Sequence, residues 1–412
     1  MTVDDIPNDV LGHCSITSHP SESALVLQCL RAFVLDDEQY CSQRHDDLQT
    51  LDWDWILSSC RKHRVGGFVA HLLARARLLT HLAPSVRAGL NGEMARCSSN
   101  CRARQKEFEE ISSILDSRDI PVVPLKGVAL AQSIYGDAQF RAMFDVDILV
   151  PDGQVQEAFD ALVSTGFRRA DSYVSRNRWH RSIYGTTSPE WDRVEIGRIP
   201  LRRDDVEIDL HYTPRYRVGG RYIGLDVAAM WQRVRPMPGP GRNTYALAAP
   251  DLLSHLVLHA IELYNPSLVQ ALDIAMVSRR RHVSWRETSL HVSLPEPSRA
   301  HIERFVRAIN GLFDAERSAR TLSPESDRVL VSLFSPTAGP KAQVPPASVQ
   351  PAIEGLRMLR RVRPPLRRLR FVLGYFLPSR EYYRDLSLPG AWCVHWRSLS
   401  IRAVRLMKMF IL

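Results

Sequence analysis

The chain is poor in the signatures that would place it at once. Its seven cysteines (Cys14, Cys29, Cys41, Cys60, Cys97, Cys101 and Cys393) form no CxxC pair, which excludes a zinc ribbon or a thioredoxin-type redox motif. Cys97 and Cys101 stand one helical turn apart and are read as core or surface thiols rather than metal ligands. No apolar run reaches the roughly 18 residues that span a bilayer, and no basic segment followed by an apolar stretch opens the chain. These absences predict a reducing, cytoplasmic setting.

Charge of one sign is also scarce over most of the length. The net charge is +9, yet residues 357–412 alone hold 13 Lys/Arg against 2 Asp/Glu. The rest holds 41 basic and 43 acidic residues, so the body is near neutral and the basicity belongs to the tail. There is no RRM, KH or helix-turn-helix signal and no internal repeat, which counts against nucleic acid as the first partner. In the tail, Arg360, Arg361, Arg363, Arg367, Arg368 and Arg370 alternate with apolar residues. That pattern suits a helix packed on the body, a peripheral contact with an anionic membrane or acidic partner, or, last, nucleic-acid phosphate.

What remains is an ordinary globular composition, 45% hydrophobic and 24% charged over 412 residues, enough for two or three domains. Helical patterning is predicted over Ser21–Leu35, from Asp52, over Gly67–Leu79 and from Pro84 to Ser117, with Trp53, Trp55, Ile56, Phe68, Leu72 and Leu73 as core. Short apolar runs then replace the helices: strands at Val122–Leu125, Val146–Val150 and Val206–His211, and helices at Val128–Ile134 and Val155–Thr165. Further extended segments are expected near Phe167, His180–Tyr184 and Arg193–Ile196. Helix returns at Asp251, read as a cap, and again at 268–277 and 299–321. The expected organisation is a helical region 1–119, an α/β unit 120–245, a helical domain 246–334, a Pro/Ala-rich linker 335–356 and a basic helical tail 357–412. The fold class is α/β (α+β), a small mixed sheet between helical regions.

The chemistry concentrates at Phe144-Asp145-Val146-Asp147-Ile148-Leu149-Val150. The period is two, so Asp145 and Asp147 share one strand face and Val146, Ile148 and Val150 the other. Same-face neighbours lie roughly 6–7 Å apart, a spacing at which carboxylates converge on one hard cation or hold a pair of Mg²⁺ ions. Asp209, in Val206-Glu207-Ile208-Asp209-Leu210-His211, offers a third carboxylate. A lone Asp-x-Asp is often only a solvated strand end; three acids in two like strands are far more specific.

Lys126-Gly127 sits at the turn from the first strand into a helix, where amides and an ammonium favour phosphate. The plainer reading is a turn glycine with a solvated lysine. Arg141 suits a triphosphate clamp or a structural ion pair with an aspartate. His211 shares a face with Asp209 and reads best as a hydrogen-bonding neighbour of the acids, and Glu207 as a surface residue. His255 and His259, at i and i+4, read as a packed helix face before a zinc pair, and Asp273 as a buried polar contact before a site residue.

The order strand, Lys-Gly, helix, Asp-x-Asp, strand with Asp resembles the DNA polymerase beta-like nucleotidyltransferase superfamily. It looks most like the bacterial group called uncharacterised nucleotidyltransferases. The likeness rests on Leu125-Lys126-Gly127, Tyr135, Arg141, Phe144–Val150, Ile208–His211, and Asp251-Leu252-Leu253 with His255 and His259. This chain has Lys-Gly for the superfamily's Gly-Ser, and seventeen residues between Gly127 and Asp145. The resemblance implies transfer of an NMP group, AMP first, from an NTP donor with two Mg²⁺ ions. Asp145 and Asp147 would bridge both ions and Asp209 would hold the one beside the nucleophile. Lys126, Gly127 and Arg141 would bind nucleotide. The implied acceptor is a hydroxyl or similar group on a small molecule or peptide, in a setting such as specialised metabolism. The alternatives are a non-catalytic protein that keeps the fold for binding or regulation, and a tRNA- or protein-modifying transferase.

Overall fold

A computed structural model describes residues 19–37, 48–136, 140–169, 197–204, 206–218, 221–238, 241–262, 267–289, 292 and 296–313. The segments expected at 180–184 and 193–196, the linker and the basic tail lie outside these residues.

Among the described residues four helices come first: α1 (Pro20–Leu35), α2 (Trp53–His63), α3 (Gly66–Arg75) and α4 (Pro84–Asp116). Their limits follow from local chemistry. Asp52 caps α2 by accepting from the Trp55 backbone N–H at 3.0 Å. Proline enters α1 and α4 in the first turn, where no intrahelical N–H is lost. The helix expected over Gly67–Leu79 instead ends at Arg75. Arg77 takes a left-handed φ of 58°, and the chain resumes as a short 3-10 turn at Leu78–His81. Trp53, Ile56, Phe68, Leu72 and Leu73 are buried, while Trp55 is partly covered and stacks on His19 with ring centroids 4.8 Å apart.

The sheet follows: β1 (Val123–Pro124), α5 (Lys126–Ser133), β2 (Asp145–Leu149), α6 (Val155–Ser164), β3 (Arg168–Arg169), β4 (Arg198–Arg203) and β5 (Val206–His211). Its order is β1-β2-β5-β4-β3, with β2 and β5 parallel and the other neighbours antiparallel. The fold is therefore α+β around a mixed sheet. The strand expected at Val122–Leu125 pairs only through Val123 and Pro124 in the ladder, while Val122 bridges to Thr244. Pro200 lies within β4 because β3 pairs only with Leu201 and Arg202, so Pro200 owes no bond on that side.

The alternation decides which face is dry. Val146, Ile148, Ile208 and Leu210 are at most 1% exposed and pack with Phe108, Ile111 and Leu115 of α4 and with Ala158 and Leu162 of α6. Each fully buried aliphatic of this kind contributes about 1.5–3 kcal/mol. The opposite face carries the aspartates.

A hairpin, β6 (Arg215–Val218) with β7 (Arg221–Gly224), leads to the short α7 (Val227–Trp231) and to the two-residue pair β8 (Arg235–Pro236) and β9 (Tyr245–Ala246). Then come α8 (Ala249–Glu262), α9 (Leu268–Arg280), α10 (Trp285–Ser289) and α11 (Glu296–Leu312). Asp251 is not the cap of α8. It lies within the first turn and receives both Nε and Nη2 of Arg233. The N-terminal helices and α8–α11 share one apolar cluster, and Arg31 Nε donates to the Leu312 carbonyl at 2.5 Å. The aspartate face of the sheet therefore looks into a single helical body.

Candidate active site

Parallel pairing sets the acids side by side. In the register of β2 with β5, Asp147 is opposite Asp209, Asp145 opposite Glu207 and Leu149 opposite His211. Glu207 is exposed; Asp147 is 3% exposed and Asp209 half-buried. A slip of one residue would send every acid into the apolar layer, so the buried valines, isoleucines and leucine of the two strands fix the site.

Each acid has a cationic or polar neighbour. Lys126 Nζ donates to Asp147 Oδ1 at 2.7 Å, and His211 Nε2 lies 2.9 Å from the same oxygen. Burial alone would raise the Asp147 carboxyl, but the Lys126 ammonium and the His211 hydrogen bond hold it well below its ordinary range. Burial pushes His211 down despite Asp147, so the ring is neutral and donates Nε2–H to the carboxylate. Asp145 behaves oppositely: burial, and then the Asp147 charge, raise it. Arg198 of β4 pairs with Asp209 Oδ2. Arg198 is opposite His211 in the ladder, on the same sheet face as the acids.

Lys126 is a non-glycine residue at φ 47°, in the left-handed region. That conformation costs roughly 1–2 kcal/mol, and it places the ammonium against Asp147. Gly127 serves packing: a Cβ there would lie 2.8 Å from Arg141 Nη1 and 2.8 Å from Met143 Sδ. Arg141 is itself held by Asp273 of α9, through Nε at 3.0 Å and Nη2 at 2.7 Å, and Tyr135 Oη donates to the same carboxylate at 2.7 Å. Asp273 is thus a buried contact that also lines the site cavity. His255 is buried against Tyr216, whose hydroxyl meets Nδ1; His259 Nδ1 is 3.2 Å from Gln270 Nε2.

A cavity of about 440 Å³ opens over Asp145 and Asp147, within the range of roughly 300–1,000 Å³ usual for small-molecule sites. Lys126, Gly127, Arg141, Asp145 and Asp147 line it, as do Lys62 and His63 at the end of α2, Arg64 just after it, His259 of α8, Ser267 at the start of α9 and Gln270 within it. Arg64, Lys62 and Arg198 are contributors that the sequence reading missed. The alternation Arg198-Ile199-Pro200-Leu201 carried a usable signal for Arg198; nothing local marks Arg64.

The donor set suits a cation. Asp147, Asp209 and His211 each offer a ligand atom within 4.8 Å of the others, the one such group among the described residues. Lys126 and His211 both engage Oδ1 of Asp147, which leaves Oδ2 as its oxygen for a metal. Oxygen-rich donors favour a hard divalent ion.

The cavity wall also titrates. Burial, then the nearby Lys62 charge, lower His63 from 6.5 to about 4. Unfolded His63 takes up a proton below its ordinary value while the folded residue does not, so stability is lost as pH falls from 6.5 towards 4. The loss at full effect is about 3 kcal/mol. Urea unfolding across that window should show the loss, and His63→Gln should flatten it.

No curated protein and no solved structure matches the chain. The defining pattern of the family described as uncharacterised nucleotidyltransferase matches residues 49–300, more than half of the sequence, and the chain belongs to that family.

Proposed function

We propose that the protein transfers a nucleoside monophosphate, AMP first among candidates, from a Mg²⁺-bound NTP to a hydroxyl or similar group on a small molecule or peptide. The observation that carries this reading is the register that sets Asp147 beside Asp209, with Asp145 two residues earlier on the same face. Asp145, Asp147 and Asp209 are the residues that would hold two Mg²⁺ ions. Bound there, the ions would supply neutralisation of the phosphate charge and a more acidic attacking oxygen.

The chain's own groups divide the rest. Lys126 and His211 fix the rotation of the Asp147 carboxylate, so that it is aimed before substrate arrives. Arg198 does the same for Asp209 through one oxygen. Arg141 and Gly127 keep the loop before Asp145 packed on α5 and α9. The near-neutral body favours a small acceptor over nucleic acid.

The test is thermal unfolding with each NTP, with and without Mg²⁺. A ligand at 100 times its Kd adds about 2.7 kcal/mol, a readily measured rise in Tm. The expected result is a Mg²⁺-dependent, base-selective rise that Asp147→Asn weakens. No rise with any NTP would remove the donor reading and favour a non-catalytic role.

A further inference from the structure

Five lysines and arginines line the cavity, and four of them, Lys126, Arg141, Arg198 and Arg64, come to it from different places in the chain, Lys62 standing beside Arg64 at the end of α2. Three are committed to carboxylates. Lys126 is on Asp147, Arg141 on Asp273 and Arg198 on Asp209. Arg64 is different. Its guanidinium carbon sits 4.7 Å from the centroid of the Phe144 ring, and among the described residues it has no carboxylate or hydrogen-bonding partner. Stacking uses the face of the guanidinium and leaves the in-plane N–H fork open, the geometry that grips phosphate oxygens.

The position is built. Arg64 takes a left-handed φ of 61° at the end of α2, which turns the chain directly into α3. Gly67 in the first turn of α3 lies so close to the 140–144 loop that a Cβ would come within 2.4 Å of the Phe140 carbonyl oxygen. The turn bearing Arg64 is thereby docked beside Phe144, itself 45% exposed at the cavity and adjacent to Asp145. Asp145 and Arg64 each feel the other's charge.

On the reading of the protein as an NTP-using transferase, we infer that Arg64 is the residue that grips the donor's polyphosphate. The helical region ahead of the sheet would then complete the nucleotide site, and Lys126 and Arg141 would serve chiefly to hold carboxylates. The committed pairs make Lys126 and Arg141 poor clamps: a phosphate would have to displace a buried carboxylate to reach either one.

The experiment is calorimetric titration of wild type, Arg64→Gln and Arg64→Lys with the NTP that gives the largest thermal shift, with its NMP, and with inorganic tripolyphosphate, all with Mg²⁺. Arg64→Gln should weaken NTP and tripolyphosphate about tenfold or more, as expected for loss of a charge-assisted hydrogen bond. It should leave NMP affinity and the ligand-free Tm unchanged, and Arg64→Lys should recover part of the loss. If Arg64→Gln binds tripolyphosphate and NTP as wild type does, or weakens NMP equally, the assignment to polyphosphate is wrong while the donor reading stands. If folded wild type binds neither NTP nor tripolyphosphate, both are wrong. Weakening confined to a phosphorylated acceptor, with NTP and tripolyphosphate unchanged, would move Arg64 to the acceptor side and overturn the inference.

Discussion

Asp145→Asn and Asp147→Asn are expected to abolish nucleotidyl transfer alike and to shift the stability of the metal-free protein in opposite directions. Both remove a carboxylate that would hold metal, and a loss of about 10³-fold or more in rate is expected from each. Their resting states differ. Burial and the Asp147 charge raise the Asp145 carboxyl above its ordinary 3.8. The unfolded chain therefore ionises this group more readily than the folded one, and stability is lost as pH rises through 3.8 towards the folded value. Above the folded value that penalty is complete, and asparagine removes it. Asp147 is the reverse: Lys126 and His211 hold it ionised. Substitution leaves the nearly buried Lys126 ammonium without its counter-charge, a loss of about 3–5 kcal/mol for a broken buried pair. Urea unfolding in chelator, run beside a transfer assay with labelled NTP, reads both. Equal destabilisation by the two variants would mean that the acids do not repel one another as described; full activity in either would exclude it from the metal set.

Asp273→Leu should be the most destabilising substitution outside the acid cluster. Asp273 is 1% exposed and accepts two hydrogen bonds from Arg141 and one from Tyr135. The guanidinium of Arg141, 7% exposed, is kept charged by this carboxylate although burial opposes it. Without Asp273 it is a buried charge alone, and about 3–5 kcal/mol is expected to go. Replacing both ends, as Arg141→Met with Asp273→Leu, should cost less than Asp273→Leu alone, because no charge is stranded. Denaturant midpoints for the two singles and the double give the coupling directly. A single-variant loss under about 1 kcal/mol would place water at the pair.

Much of this was legible because it is local. The Asp52 cap, the Pro84 entry and the Val155–Ser164 helix follow from residues within one or two turns. The two acid strands announce themselves by strict alternation, and β5 spans Val206–His211 as the sequence predicts. The limits are equally physical. No local pattern tells that the turn after α2 docks on the 140–144 loop, since that contact depends on a missing Cβ at Gly67 rather than on any periodicity. Nor does sequence choose which aspartate Arg141 meets: Asp145 is four residues away, yet the partner is Asp273 across the cavity. The sequence pattern does not mark β4 (Arg198–Arg203), because its Pro200 and three arginines hide a strand whose pairing is set by β5.

The long sequence reach of the site's pairs also gives it a history during synthesis. Lys126 and Asp147 are 21 residues apart, His211 and Asp147 are 64 apart, and Arg141 and Asp273 are 132 apart. A ribosome adding about 5–20 residues per second releases the first pair almost together, but Arg141 then waits several seconds or more for its carboxylate. During that interval the nascent chain carries an arginine whose eventual burial is not yet compensated. The loop before Asp145 therefore has reason to stay undocked until α9 emerges, so that the acids become a working site only when synthesis has passed well beyond the sheet that bears them.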